Sequence, residues 1–125
     1  MATNLQFITS FQITSSQETT DLDNIFTTEY DVYKIVFTGF ATVGTSDENI
    51  NIRVIDDSGT LDSDNVYEYA VLETRADTTF SENKNTGYGR IDRLMKIDQA
   101  PDGQSSVLYV MNPKSSSTYT FFQWQ

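Results

Sequence analysis

Four aspartates, Asp56, Asp57, Asp62 and Asp64, fall within one short stretch, DDSGTLDSD (56–64). A hard cation such as calcium takes about six to eight oxygen ligands, and carboxylates at alternate positions, as in Asp62-Ser63-Asp64-Asn65, can converge on one ion. The spacing is not that of a calcium loop, because there is no D-x-D-x-D-G run and no Glu at the bidentate offset. The stretches Asp21/Asp23/Asn24 and Asp47/Glu48/Asn49 are sparser still. A solvated turn whose aspartates bond their own backbone accounts for the 56–64 loop, and no metal ligands are assigned.

Paired carboxylates would also serve a glycosidase, which needs two of them across a cleft, one with a raised pKa. With 18 acidic residues some pair is bound to be close, so their presence selects nothing. Histidine and cysteine are both absent. Their absence removes the usual general base, every Ser-His or Cys-His nucleophile and all thiolate and disulfide chemistry. The expectation is a protein that is not an enzyme, with no catalytic residues and no cofactor.

Aromatic residues offer a third chemistry. Tyr67, Tyr69, Tyr88, Tyr109 and Trp124 could form a platform on which sugar rings stack. Equally, they could be the core and cross-strand pairs that aromatic residues usually make in sheets. Tyr88, between Gly87 and Gly89, is the aromatic expected to be exposed and is the candidate ligand contact. Phe7, Phe11, Phe37 and Phe121 read as core.

The elements that must position these residues read as strands. Residues 30–40 (YDVYKIVFTGF) place Tyr33, Ile35 and Phe37 on one face and Val32 and Val36 on the other. Apolar groups on both faces predict a central strand. Residues 107–111 (VLYVM) carry the same two-faced pattern. Leu5, Phe7, Phe11 and Ile13 alternate with Gln6, Ser10 and Gln12, which predicts an outer strand with one wet face. Ile50, Ile52 and Val54 predict another half-exposed strand, and residues 90–97 a further one, although Arg93 falls on the apolar parity.

Residues 65–74 (NVYEYAVLET) are two-valued. Tyr67, Tyr69 and Val71 fit a strand face, whereas Asn65 followed by Glu68 matches a helix-capping pattern. Strand is the preferred reading, since the neighbouring segments share the two-residue period and a ten-residue helix is marginal without packing. Residues 76–80 read as a short edge strand, 81–89 as loop and 119–125 (YTFFQWQ) as the last strand. Turn chemistry marks Asp23-Asn24, 44–49, Pro101-Asp102-Gly103 and Asn112-Pro113. Short strands at near-regular spacing predict one antiparallel β-sandwich domain over 1–125, jelly-roll-like, with about seven or eight strands.

The net charge of −10 repels phosphate backbones and anionic lipids, so neither a nucleic acid nor a membrane is an expected partner. No apolar run approaches the roughly 20 residues needed to span a bilayer. The opening MATNLQF lacks the basic and apolar regions of a signal peptide, so synthesis in a cytoplasm is expected.

Several stretches together carry a family resemblance. They are ITSSQETTDLDNIFTTEYDVYKIVFTGF (13–40), IRVIDDSGT (52–60), NVYEYA (65–70) and NPKSSSTYTFFQWQ (112–125). In that order and spacing they resemble a family of virion structural proteins from tailed phages of marine bacteria, cyanobacterial phages especially. The resemblance covers nearly the whole chain through strand and turn signatures. It implies a non-enzymatic particle component in the virion, made in the host cytoplasm. Its implied role is capsid decoration or another accessory one, and its partners are other virion proteins of capsid or tail in a homo-oligomer or symmetric assembly. The alternative it implies is a receptor-binding or tail-fibre domain recognising host surface glycans. It assigns no functional residues. Similar proteins usually run on past the Tyr-Thr-Phe-Phe segment with a glycine-rich turn and further strands, so the resemblance implies either a short member or C-terminal strands beyond Gln125.

The 119–125 segment places Tyr119 and Phe121 on one face and Phe122 and Trp124 on the other. A strand apolar on both faces needs cover, and no Lys, Pro or bulge blunts this one. Tyr119, Phe121, Phe122 and Trp124 are therefore the candidate partner interface. The expected cover is further C-terminal chain, a second copy or a capsid protein.

Overall fold

A computed structural model of the chain describes residues 5–42, 48–74, 80–97 and 103–125. All its regular structure there is β: β1 (Val32–Phe40), β2 (Glu48–Ile52), β3 (Tyr67–Thr74), β4 (Phe80–Tyr88), β5 (Ile91–Ile97), β6 (Gln104–Met111) and β7 (Phe121–Trp124). The strands form three small antiparallel sheets, ordered β1-β6-β7, β2-β5 and β3-β4. The pairs are nested: β3 meets β4, then β2 meets β5 outside them, then β1 meets β6. Residues 65–74, which also fit a helix, are β3 from Tyr67 onward, because Tyr67 and Tyr69 find partners in Tyr88 and Asn85 on β4.

The core lies on the inner side of the three-stranded sheet. Tyr33, Leu108 and Val110 face Leu94 of β5, and Ile35, Phe37, Ile50, Ile52, Phe122 and Trp124 close around them. Phe26 closes one end, its ring edge-on to Tyr33 at 4.9 Å. The Tyr33 hydroxyl satisfies the chain that leads there. It accepts from the Thr27 amide at 2.7 Å and donates to the Thr27 carbonyl at 3.0 Å. A buried tyrosine whose hydroxyl is fully used fixes both its ring and the loop beside it.

Irregularities account for two oddities of pattern. Arg93 breaks the alternation of β5 because the β2–β5 ladder shifts register between Ile50 and Ile52, and Arg93 takes φ 60° there. Its side chain then reaches Glu73 at 2.7 Å while Ile91, Leu94, Met95 and Ile97 stay buried. The β1–β6 ladder shifts between Phe37 and Phe40, where Gly39 (φ +71°) and Gly103 (φ +64°) lie back to back.

Four sequence expectations are corrected. Residues 5–13 have the alternation of a strand but pair with nothing among the described residues, and Leu5, Phe7, Ile8, Phe11 and Ile13 are all exposed. So Phe7 and Phe11 are not core, and nor is Phe121. The two-faced strand β1 is not central: it borders the sheet, β6 occupies the middle, and Val32 and Val36 lie open on the outer face. Residues 81–89 are not loop, because nearly all of them belong to β4, a polar strand whose ladder to β3 needs backbone groups only. The last strand begins at Phe121, which leaves Tyr119 in the irregular chain before it. Residues 44–47, 76–79, Pro101 and Asp102 lie outside the described residues.

Candidate interaction surface

The acidic loop is built inward. Ile55 bridges Leu61, and the Asp62 amide donates to the Val54 carbonyl at 2.8 Å, closing a small hairpin. Inside it, one oxygen of Asp56 accepts from the Ser58 amide, the Ser58 hydroxyl and the Thr60 amide at 2.8, 2.6 and 2.9 Å. The Ser58 hydroxyl foremost, with the Thr60 amide, holds the Asp56 carboxyl below its usual value. Asp62 accepts from the Asp64 amide, and Asp57 pairs with Lys114. Asp56 and Asp62 thus bond their own backbone, as turn chemistry predicts. Among the described residues no three acidic side chains converge where they could share a cation.

Tyr67 anchors this hairpin to the sheet. Its ring is 7% exposed, and its hydroxyl accepts from the Val54 amide at 2.8 Å and donates to the Asp62 carbonyl at 3.1 Å. Burial pushes its pKa above the ordinary value. Tyr67 is thereby withdrawn from any aromatic platform. Of the other four, only Tyr69 and Tyr88 meet; Tyr109 lies on the outer face of β6 beneath the Lys34 ammonium at 5.9 Å, and Trp124 packs on the inner core.

Tyr88 ends β4 and is half-buried, which corrects the expectation of an exposed loop residue. Its ring meets Tyr69 edge-on at 6.1 Å, and the Arg90 guanidinium lies 5.6 Å from its centre. The neighbouring hollow of about 580 Å³, lined by Glu68, Tyr69, Ala70, Lys84, Asn85 and Thr86, is open to solvent.

An uncovered apolar surface lies on the outer face of β1-β6-β7. Register places Val32, Lys34 and Val36 beside Met111, Tyr109 and Val107, and sets Phe121 and Gln123 of β7 against Met111 and Tyr109. Val32, Val36 and Phe121 are 57%, 55% and 55% exposed. Phe122 and Trp124 are half-buried on the other side, and Tyr119, at 84% exposure, precedes the strand. Of the four candidate interface residues, Phe121 takes one side of β7, Phe122 and Trp124 take the other, and Tyr119 lies outside the strand. Sequence reasoning missed Val32, Val36, Val107 and Met111, although the two-faced apolar pattern of β1 and β6 was their signal.

The edge is as open as the face. Val107 and Gln125 exchange backbone hydrogen bonds at 2.9 and 3.0 Å, which extends the β6–β7 ladder to the last residue. On its far side β7 has no neighbour among the described residues. A row of free backbone groups beside large aromatics is a template for strand addition. No helix among the described residues is long and apolar enough to cross a membrane. Comparison with protein-family models, with curated proteins and with solved structures gives no match.

Proposed function

We propose that this protein is a non-enzymatic structural component of a tailed-phage virion, a capsid decoration or accessory protein that works by binding other virion proteins. The observation that carries the reading is the uncovered face and edge around Val32, Val36, Phe121 and Trp124. In an isolated monomer an open apolar face with free strand edge is a liability, whereas in a particle component it is a contact surface. The family resemblance points the same way. The acidic surface keeps the protein soluble in the host cytoplasm until a shell is available.

The proposed architecture is a jelly-roll sandwich. Its support is the nesting of β3-β4 within β2-β5 within β1-β6, which is how one long hairpin is wound into that fold. Cryo-EM of particles tests the functional reading. Density for this chain on the head supports it, and its absence from particles refutes it. Density confined to the distal tail favours the second reading, a receptor-binding or fibre domain. That reading draws on the Tyr69, Tyr88 and Arg90 group beside the open hollow. It predicts glycan-array binding that is lost in Tyr88→Ala.

A further inference from the structure

We propose that residues 5–13 of one copy add as a strand to the free edge of β7 in a second copy. The inference rests on the reading that another polypeptide covers this edge, and it names that polypeptide.

Charge is the first argument. All 18 acidic and 8 basic residues lie from Glu18 to Lys114, so neither the segment before Glu18 nor the segment after Lys114 carries a charged side chain. At a net charge of −10, two copies repel over most of their surfaces, and these two segments can meet with no local charge conflict.

Pattern and exposure are the second. Leu5, Phe7, Phe11 and Ile13 share one parity and are 83%, 77%, 59% and 39% exposed. Gln6, Ile8, Ser10 and Gln12 share the other. Laid beside β7 with the first set inward, the arm extends the apolar layer over the open flank of Phe122 and Trp124. Gln6, Ser10 and Gln12 then face water, and Ile8 lies on the side of Phe121. The arm's unpaired amides and carbonyls find the row that β7 leaves free.

Position favours a second copy over the arm's own chain. Within one chain the Tyr30 hydroxyl donates to Gln6 Oε1. Tyr30 lies two residues before β1, which is the opposite border of the sheet from β7. Area agrees. The chain exposes 9730 Å², against about 6,800 Å² for a folded monomer of this mass. The excess, roughly 3,000 Å² in each chain, is more than the roughly 1,000–2,500 Å² per partner that obligate interfaces bury, so it leaves surface enough for a contact of that class.

The absence of cysteine makes disulfide trapping clean. Full-length Ser10→Cys or Gln12→Cys protein is mixed with full-length Gln123→Cys protein and oxidised. A mixed disulfide of about twice the chain mass, from residues of opposite ends, is expected. In a Ser10→Cys/Gln123→Cys double variant, a disulfide that closes only within one chain would place the arm in its own fold and overturn the proposal. So would a protein that light scattering finds monomeric and that never cross-links. Neither outcome touches the virion reading, which particle imaging decides separately. A second variant, Phe7→Asp with Phe11→Asp, puts charge into the arm at side chains that are exposed within one copy. Its scattering mass should fall to one chain, the single tryptophan, Trp124, should shift to the red, and the far-ultraviolet spectrum should stay β. A variant that remains associated overturns the proposal.

Discussion

Replacing Tyr67 by phenylalanine removes one oxygen and leaves a buried ring in place. That oxygen makes two hydrogen bonds, from the Val54 amide at 2.8 Å and to the Asp62 carbonyl at 3.1 Å, and both partners belong to the acidic hairpin. A hydrogen bond contributes about 1 kcal/mol net, and a buried group left unpaired costs about 1–3 kcal/mol. Both sites are part-buried, so water can replace one partner, and the expected loss is about 1–2 kcal/mol. For a domain of this length that is a melting temperature lower by roughly 4–10 °C. Tyr119→Phe, at 84% exposure, is the control and should not move. The assay has a second arm in pH. Burial raises the Tyr67 pKa above 10.0, so its contribution is complete below that value and is lost as pH climbs through the raised one. Tyr30 is shifted in the same direction, so the readout is the difference between parent and variant across the alkaline range. A Tyr67→Phe protein that melts with the parent at neutral pH, and loses stability at alkaline pH just as steeply, would show that this hydroxyl does not hold the hairpin.

Other expectations follow from the same geometry. Gly103→Ala should destabilise by about 2–4 kcal/mol, since left-handed strain adds to overpacking; its new Cβ would lie 2.8 Å from Gly39 Cα. Gly39→Ala meets nothing within 4 Å and should cost only the conformational strain, about 1–2 kcal/mol, and chemical denaturation separates the two. Leu108→Ala, at 2% exposure in the middle of the sheet, should cost about 3–4 kcal/mol by the same measurement. Asp56 has a lowered carboxyl pKa, so its contribution is present above 3.8 and lost as pH falls through the lowered value. Asp56→Asn should abolish the acid-side shift of the Ser58 and Thr60 amide resonances. Millimolar calcium should leave the melting temperature unchanged, and a chelator-reversible rise of many degrees would overturn the reading of this loop as a self-bonded turn.

How far the sequence could be read depended on what each pattern encodes. Residues 107–111 carry apolar groups on both faces and form the middle strand. Residues 30–40 carry the same pattern and form a border. Period-two alternation reports which side chains are apolar, and a second apolar face means either a neighbouring layer or a surface left open; the two cases look alike in one sequence. Arg93 on the apolar parity was informative in retrospect, because a charge out of phase inside a clear strand is what a bulge looks like from the sequence. The strand over 80–88 was hidden for the opposite reason. Its Asn, Lys, Glu and Ser side chains contribute little to any core, and only the ladder to β3 makes it a strand. The candidate interface was legible at Phe121, Phe122 and Trp124 as an aromatic strand needing cover, but which side of the strand each took required the pairing to β6.

The charge distribution also constrains how such a surface is used. Long-range repulsion between copies of net charge −10 opposes encounter, and it is screened over about 8 Å at physiological ionic strength. Contacts made through the uncharged arm and the uncharged β7 edge gain nothing from opposite charges and lose nothing to screening. Added salt should therefore strengthen association, since it weakens the repulsion and leaves the apolar contact intact. Assembly through ion pairs would respond in the opposite sense. The described ion pairs lie elsewhere, Arg93–Glu73 beside the core, Lys114–Asp57 at the acidic hairpin, Lys84–Glu82 on β4 and Arg90–Asp92 at the start of β5, and all are internal to one chain. A salt dependence that runs toward dissociation would mean that the surface used is the charged middle of the chain, and the open face around Val36 and Phe121 would then need a different partner.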